Sequence, residues 1–105
     1  MTPTSITVHN TANDASAANE IQYMSTNDRY VSFHTAIDDV EIIQAIPYTR
    51  NAFHAGDGKD GKGNRTSIAI EICYSKSGGK RYELAEQNAV HYIAQLLHTY
   101  GWGID

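Results

Sequence analysis

The sequence predicts a mixed α/β fold, a central mixed sheet flanked by helices, in the order β-α-β-β-loop-β-α. Three observations carry that prediction. Short segments such as Ile6-Thr7-Val8-His9 alternate apolar and polar residues, the period of a half-buried strand. Residues 82–100 instead repeat apolar side chains at helical spacing. The two kinds of segment interleave along one chain of 105 residues, a length for a single domain, 1–105, with one sheet and helices packed on it.

Residues 6–9 open the chain as the first strand. Asn13 and Asp14 follow as candidate caps for a helix over residues 15–24, where Ile21 and Met24 share a face. Residues 31–37 form the second strand, with Val31, Phe33, Thr35 and Ile37 expected on one side. Asp38-Asp39 makes a hairpin turn, and residues 40–46 return as a strand closed by Pro47. Residues 51–66 hold four of the eight glycines and no aliphatic side chain larger than alanine, which predicts a long functional loop. Residues 67–74 are the clearest strand, with Ile68, Ile70 and Ile72 on one face and Ala69, Glu71 and Cys73 on the other. Residues 82–100 are the clearest helix; Ala85, Ala89, Tyr92, Ile93, Leu96 and Tyr100 make its apolar stripe, and Gly101 is its stop.

Eight Lys and Arg against 12 Asp and Glu give a net charge of −4, which argues against a nucleic-acid partner. No apolar run approaches the ~18 residues that cross a bilayer, and no signal peptide is readable at the N-terminus. Cytoplasmic synthesis without membrane association is therefore expected. Cys73 is the single cysteine, so no internal disulfide forms.

The alternation of the strands places His9 and Glu71 on the same small-residue face if both lie in one sheet. Glu71 stands mid-strand among isoleucines, where burial raises a carboxyl toward the range of a general base; a solvated, ion-paired glutamate is the equal alternative. His9 ends the first strand before Asn10 and Thr11, placed as a metal ligand or as a hydrogen-bonded structural residue. His34 reads as a satisfied core histidine, and His91 and His98 as solvent-facing. His54 lies beside Phe53 in the glycine-rich loop, a donor and an aromatic suited to lining a groove. That loop lacks the spacing of a phosphate-binding loop. Cys73 is a buried, inert thiol by default, with a cysteine hydrolase as the weak alternative.

Five segments in order, Ile-Thr-Val-His-Asn-Thr (6–11), Val-Ser-Phe-His-Thr-Ala-Ile-Asp (31–38), Ile-Gln-Ala-Ile-Pro (43–47), Asn-Ala-Phe-His-Ala-Gly-Asp-Gly (51–58) and Gly-Asn-Arg-Thr-Ser-Ile-Ala-Ile-Glu-Ile-Cys (63–73), resemble the zinc-dependent N-acetylmuramoyl-L-alanine amidases of the type-2 amidase and peptidoglycan-recognition-protein superfamily. The run 70–79 looks most like the amidase domains of Gram-positive phage and prophage endolysins. The resemblance implies a peptidoglycan hydrolase that cuts between N-acetylmuramic acid and the L-alanine of the stem peptide. It implies zinc as cofactor, His9 as the first zinc ligand, Glu71 as the catalytic glutamate, and His54, Phe53 and Asn10 at the substrate groove. Phe33 stands where other branches carry a tyrosine, so Glu71 bears more of the chemistry. The family's other two zinc ligands follow the long helix and are expected beyond Asp105, so the resemblance implies a catalytic domain shortened at its C-terminus. A monomer acting on Gram-positive cell walls after release from the cytoplasm is the accompanying expectation; a non-catalytic peptidoglycan-binding module is the alternative.

Overall fold

A computed structural model describes residues 2–26, 32–52 and 62–103. Its elements are β1 (Ser5–Asn10), α1 (Ala17–Thr26), β2 (Thr35–Ile37), β3 (Ile42–Gln44), α2 (Lys62–Thr66), β4 (Ser67–Ile72) and α3 (Gly79–Tyr100). The strands form one sheet in the order β1-β4-β2-β3. β1 and β2 both pair with β4 in parallel, and β3 closes one edge antiparallel to β2.

The period-2 pattern of β4 builds two layers. Ile68 and Ile70 are fully buried against Ala89 and Leu96 of α3, with Ile6, Ile72, Tyr92 and Ile93 packed around them. On the opposite face Ala69, Ala36 and Cys73 meet Ala17, Ile21 and Met24 of α1. This second face is lined by small side chains, which brings helix and sheet close together. Thr35 lies on the α3 side, where its hydroxyl is 2.6 Å from that of Tyr48. The Tyr48 hydroxyl is in turn bonded to that of Tyr92, so a partly buried polar chain ties the sheet to α3.

The start of α1 and the end of α3 are capped by identifiable groups. Ser16 Oγ accepts from the Asn19 amide at 3.2 Å, the side-chain cap of α1. Asp38 adds a cap from across the fold, its Oδ2 accepting from Ala17 N–H at 3.0 Å. At the far end of α3 Gly101 takes φ 70°, and the amides of Gly101 and Trp102 donate to the carbonyls of His98 and Leu97, a left-handed stop that suits glycine.

Several sequence expectations change in detail. Strand β2 is confined to Thr35–Ile37, and Phe33 packs on the α1 side while Ile37 faces α3; residues 32–34 are not in the ladder, so its alternation does not reach Phe33. β3 is likewise three residues long. The end of the expected loop is the helical turn α2, anchored by the buried Asn64 and leading directly into β4. Helix α3 begins at Gly79, three residues before the expected start at Tyr82, with Gly78 and Gly79 at φ 66° and 71° where the chain enters it. Asn13 Oδ1 accepts from Ala15 N–H at 2.9 Å, but Asp14 does not cap α1: its carboxylate accepts from the amide and hydroxyl of Ser77.

Candidate active site

The parallel register of β1 and β4 sets His9 directly beside Glu71. Ala36 flanks Glu71 on its other side, in β2. The three residues stand abreast on the α1 face, as the alternation of the strands requires.

Glu71 is only partly exposed, and its Oε2 is buried without a hydrogen-bond partner. Burial pushes its carboxyl up, and the negative charge of Glu20 pushes it further, to about 7. Glu20 stands on α1 at 9% exposure. A carboxyl with this value exchanges a proton near neutrality. Such a group, unpartnered at one oxygen and beside an imidazole, has the properties of a proton acceptor.

Sequence reasoning missed Glu20, although its position carried a signal. Ala17, Glu20, Ile21 and Met24 occupy one helical stripe at spacings 0, 3, 4 and 7. The charged member of that stripe is forced onto the sheet face that carries Glu71.

Asn10 is exposed, and its side-chain carbonyl accepts from Ser75 Oγ at 3.2 Å. The same Ser75 oxygen accepts from Ala12 N–H at 2.7 Å. With Asp14 on Ser77, these bonds staple the loop after β1 to the loop after β4 and fix the rim next to His9 and Glu71. Phe53 and His54 lie outside the described residues. His34 is fully buried, as expected of a core histidine. Its Nδ1 accepts from Ala69 N–H at 2.9 Å, and its Nε2 donates to the Arg50 carbonyl at 2.6 Å.

Cys73 is buried, and burial foremost pushes its thiol up to about 12. It therefore stays a thiol at neutral pH, in keeping with the buried, inert thiol expected by default. A catalytic zinc takes three protein ligands. Among the described residues no three His, Cys, Asp or Glu side chains come together to hold a metal, so His9 offers one donor and those residues do not complete a centre. Asp105, past which the resemblance puts the other two ligands, lies outside the described residues.

The chain is 64% identical over 100 residues to the N-acetylmuramoyl-L-alanine amidase CwlA of Bacillus subtilis (strain 168), covering 95% of this chain and 37% of that protein. It is equally identical, over 100 residues, to the amidase XlyB of the same strain, covering 95% of this chain and 32% of the relative. It thus spans about a third of the length of these curated relatives. The solved structure of PlyL superposes with a TM-score of 0.93 at 58% identity, over 98% of this chain and 64% of that one. The model of the N-acetylmuramoyl-L-alanine amidase family matches residues 1–105, and the chain belongs to that family.

Proposed function

We propose that the chain hydrolyses the amide bond between the lactyl group of N-acetylmuramic acid and the L-alanine of the stem peptide, in the peptidoglycan of Gram-positive cell walls, with Glu71 as general base. The observation that carries this is Glu71 itself: a carboxyl raised to about 7 by burial and by Glu20, with one oxygen unpartnered, beside His9 on the neighbouring strand. The Glu71 carboxylate takes a proton from the water that adds to the scissile carbonyl. The carbon–nitrogen bond then breaks, and Glu71 returns that proton to the departing amine.

His9 is the proposed metal donor of the site, with its partner ligands proposed to follow Asp105. A zinc ion bound through it would polarise the carbonyl and acidify water. Asn10, with Phe53 and His54, is proposed to border the substrate groove. Residues 1–105 belong to the catalytic domain, and the protein works as a monomer on the wall after release from the cytoplasm.

The test is incubation with purified Gram-positive walls, following turbidity and new N-terminal L-alanine. Release that disappears in Glu71→Ala supports the enzyme. Binding to walls with no release by either form would instead favour a peptidoglycan-binding module.

A further inference from the structure

A second feature sits at the same end of the sheet. The loops that follow the parallel strands β1 and β4 border a cavity of about 400 Å³, lined by Asp14, Tyr74, Ser77, Gly78, Lys80 and Arg81. In open parallel sheets ligands lie beyond the carboxyl ends of the strands, which is where this cavity lies. Its floor is unusual in backbone and in chemistry. Tyr74 is held at φ 68°, a conformation that β-carbon sterics disfavour and that clusters at functional sites. Its buried ring carries the Arg81 guanidinium 5.1 Å from the centroid. A guanidinium seated on an aromatic ring keeps its N–H fork free in its own plane.

Two cations line the cavity, and Asp39 and Asp38 add negative charge near Tyr74. Lys80 and Arg81 are exposed cations in the first turn of α3, with Lys76 in the loop before it. The one lining carboxylate, Asp14, is occupied: both oxygens accept from Ser77. Those bonds foremost, and Lys76 and Arg81 after them, hold it below the usual carboxylate range. The cavity therefore presents a free guanidinium fork and a second cation to whatever enters it.

We propose that this cavity is a subsite for a free carboxylate on the peptide part of the substrate, gripped by the Arg81 fork with Lys80 beside it. This rests on the amidase reading given above. Tyr74 follows Glu71 by three positions, a span of no more than about 11 Å. A peptide advances ~3.5 Å per residue, so a carboxylate two or three residues from the scissile amide reaches Arg81 while that amide lies at Glu71. Arg81 is thus a specificity residue, which selects an acidic stem over its amidated form.

The experiment measures binding by calorimetry in the Glu71→Gln chain, which leaves the probes intact. The probes are N-acetylmuramoyl-L-alanyl-D-glutamate and the same compound with its glutamate carboxylates amidated. The acid is expected to bind about tenfold tighter or more, the size of a charge-assisted pair. Adding Arg81→Gln should erase that preference, and Arg81→Lys should restore part of it. Equal affinity for acid and amide with Arg81 intact, binding of neither probe, or a preference that survives Arg81→Gln would each overturn the proposal. So would polyglycerol phosphate displacing the acid through Arg81 with at least the acid's own affinity, since the site would then serve a wall phosphate polymer. The amidase reading fails separately, when the wild-type chain releases no N-terminal L-alanine from walls.

Discussion

Glu20 on α1 acts on Glu71 of β4 through its charge, and together with burial it holds the Glu71 carboxyl near 7. The two glutamates come from distant parts of the chain and meet because α1 covers the small-residue face of the sheet. As general base Glu71 must be ionised, so kcat/KM should rise with pH and level off above a midpoint near 7. Glu20→Gln removes the smaller of the two causes and should move that midpoint to lower pH while activity at pH 8 persists. A pH–rate profile of the two proteins checks this; an unmoved midpoint would show that Glu20 does not tune the base.

A base kept partly buried costs stability. The folded value of Glu71 lies above its ordinary 4.5, so between pH 4.5 and 7 the folded state binds more protons than the unfolded one. Its favourable contribution is complete below pH 4.5 and is lost as pH rises through about 7. Glu71→Gln should therefore be more stable than wild type at pH 8, by roughly 1–3 kcal/mol, while losing about a hundredfold or more in rate. Urea denaturation at pH 4 and pH 8 measures the difference, and the gain should be confined to the higher pH.

The sheet was legible in the sequence because its alternation is regular: Ile68, Ile70 and Ile72 against Ala69, Glu71 and Cys73 assign both faces of β4 without further information. That His9 and Glu71 share a face followed from that alternation once both strands shared a sheet; the register that sets them side by side did not. Glu20 was overlooked despite its place in the stripe of Ala17, Ile21 and Met24, because a glutamate in the first turn of a helix ordinarily faces water and favours the helix dipole. Only the packing of α1 on the sheet turns it inward. The role of Asp38 was hidden for a related reason. Its turn was readable from Asp38-Asp39, but its bond to Ala17 spans 21 positions, beyond any local pattern.

His34 makes the fold acid-sensitive. Both ring nitrogens are engaged, and Nδ1 accepts from the Ala69 amide, so the neutral ring fits and the cation does not. Burial lowers its value below the ordinary 6.5. The unfolded chain then binds the extra proton first, and the contribution of His34 is complete above pH 6.5 and falls away as pH drops below it, by up to about 1.4 kcal/mol per pH unit. His34→Ala should cost about 2–4 kcal/mol at pH 7.5 and should flatten this part of the stability–pH curve. Chemical denaturation from pH 5 to 7.5 distinguishes the two effects.

Asp38, at 2% exposure, joins three parts of the fold, two through its carboxylate and the third through its backbone carbonyl. Oδ2 accepts from Ala17 N–H, and Oδ1 from the amides of Val40 and Glu41 at 2.8 and 2.6 Å. Its own carbonyl accepts from Asn88 Nδ2 of α3 at 3.0 Å. Asp38→Ala keeps that backbone bond but leaves three amide donors without their acceptor, two in the turn before β3 and one at the start of α1. Each unsatisfied buried donor costs about 1–3 kcal/mol, less where water reaches it, so a loss of about 3 kcal/mol or more is expected. Asp38→Asn retains one acceptor oxygen and should recover part of it. For a domain of this size such a loss lowers Tm by ~10 °C or more. Because α1 carries Glu20, loosening its first turn should also shift the pH midpoint of activity downward, as Glu20→Gln does. An Asp38→Ala variant with lowered Tm but an unchanged midpoint would separate the cap from the tuning of Glu71.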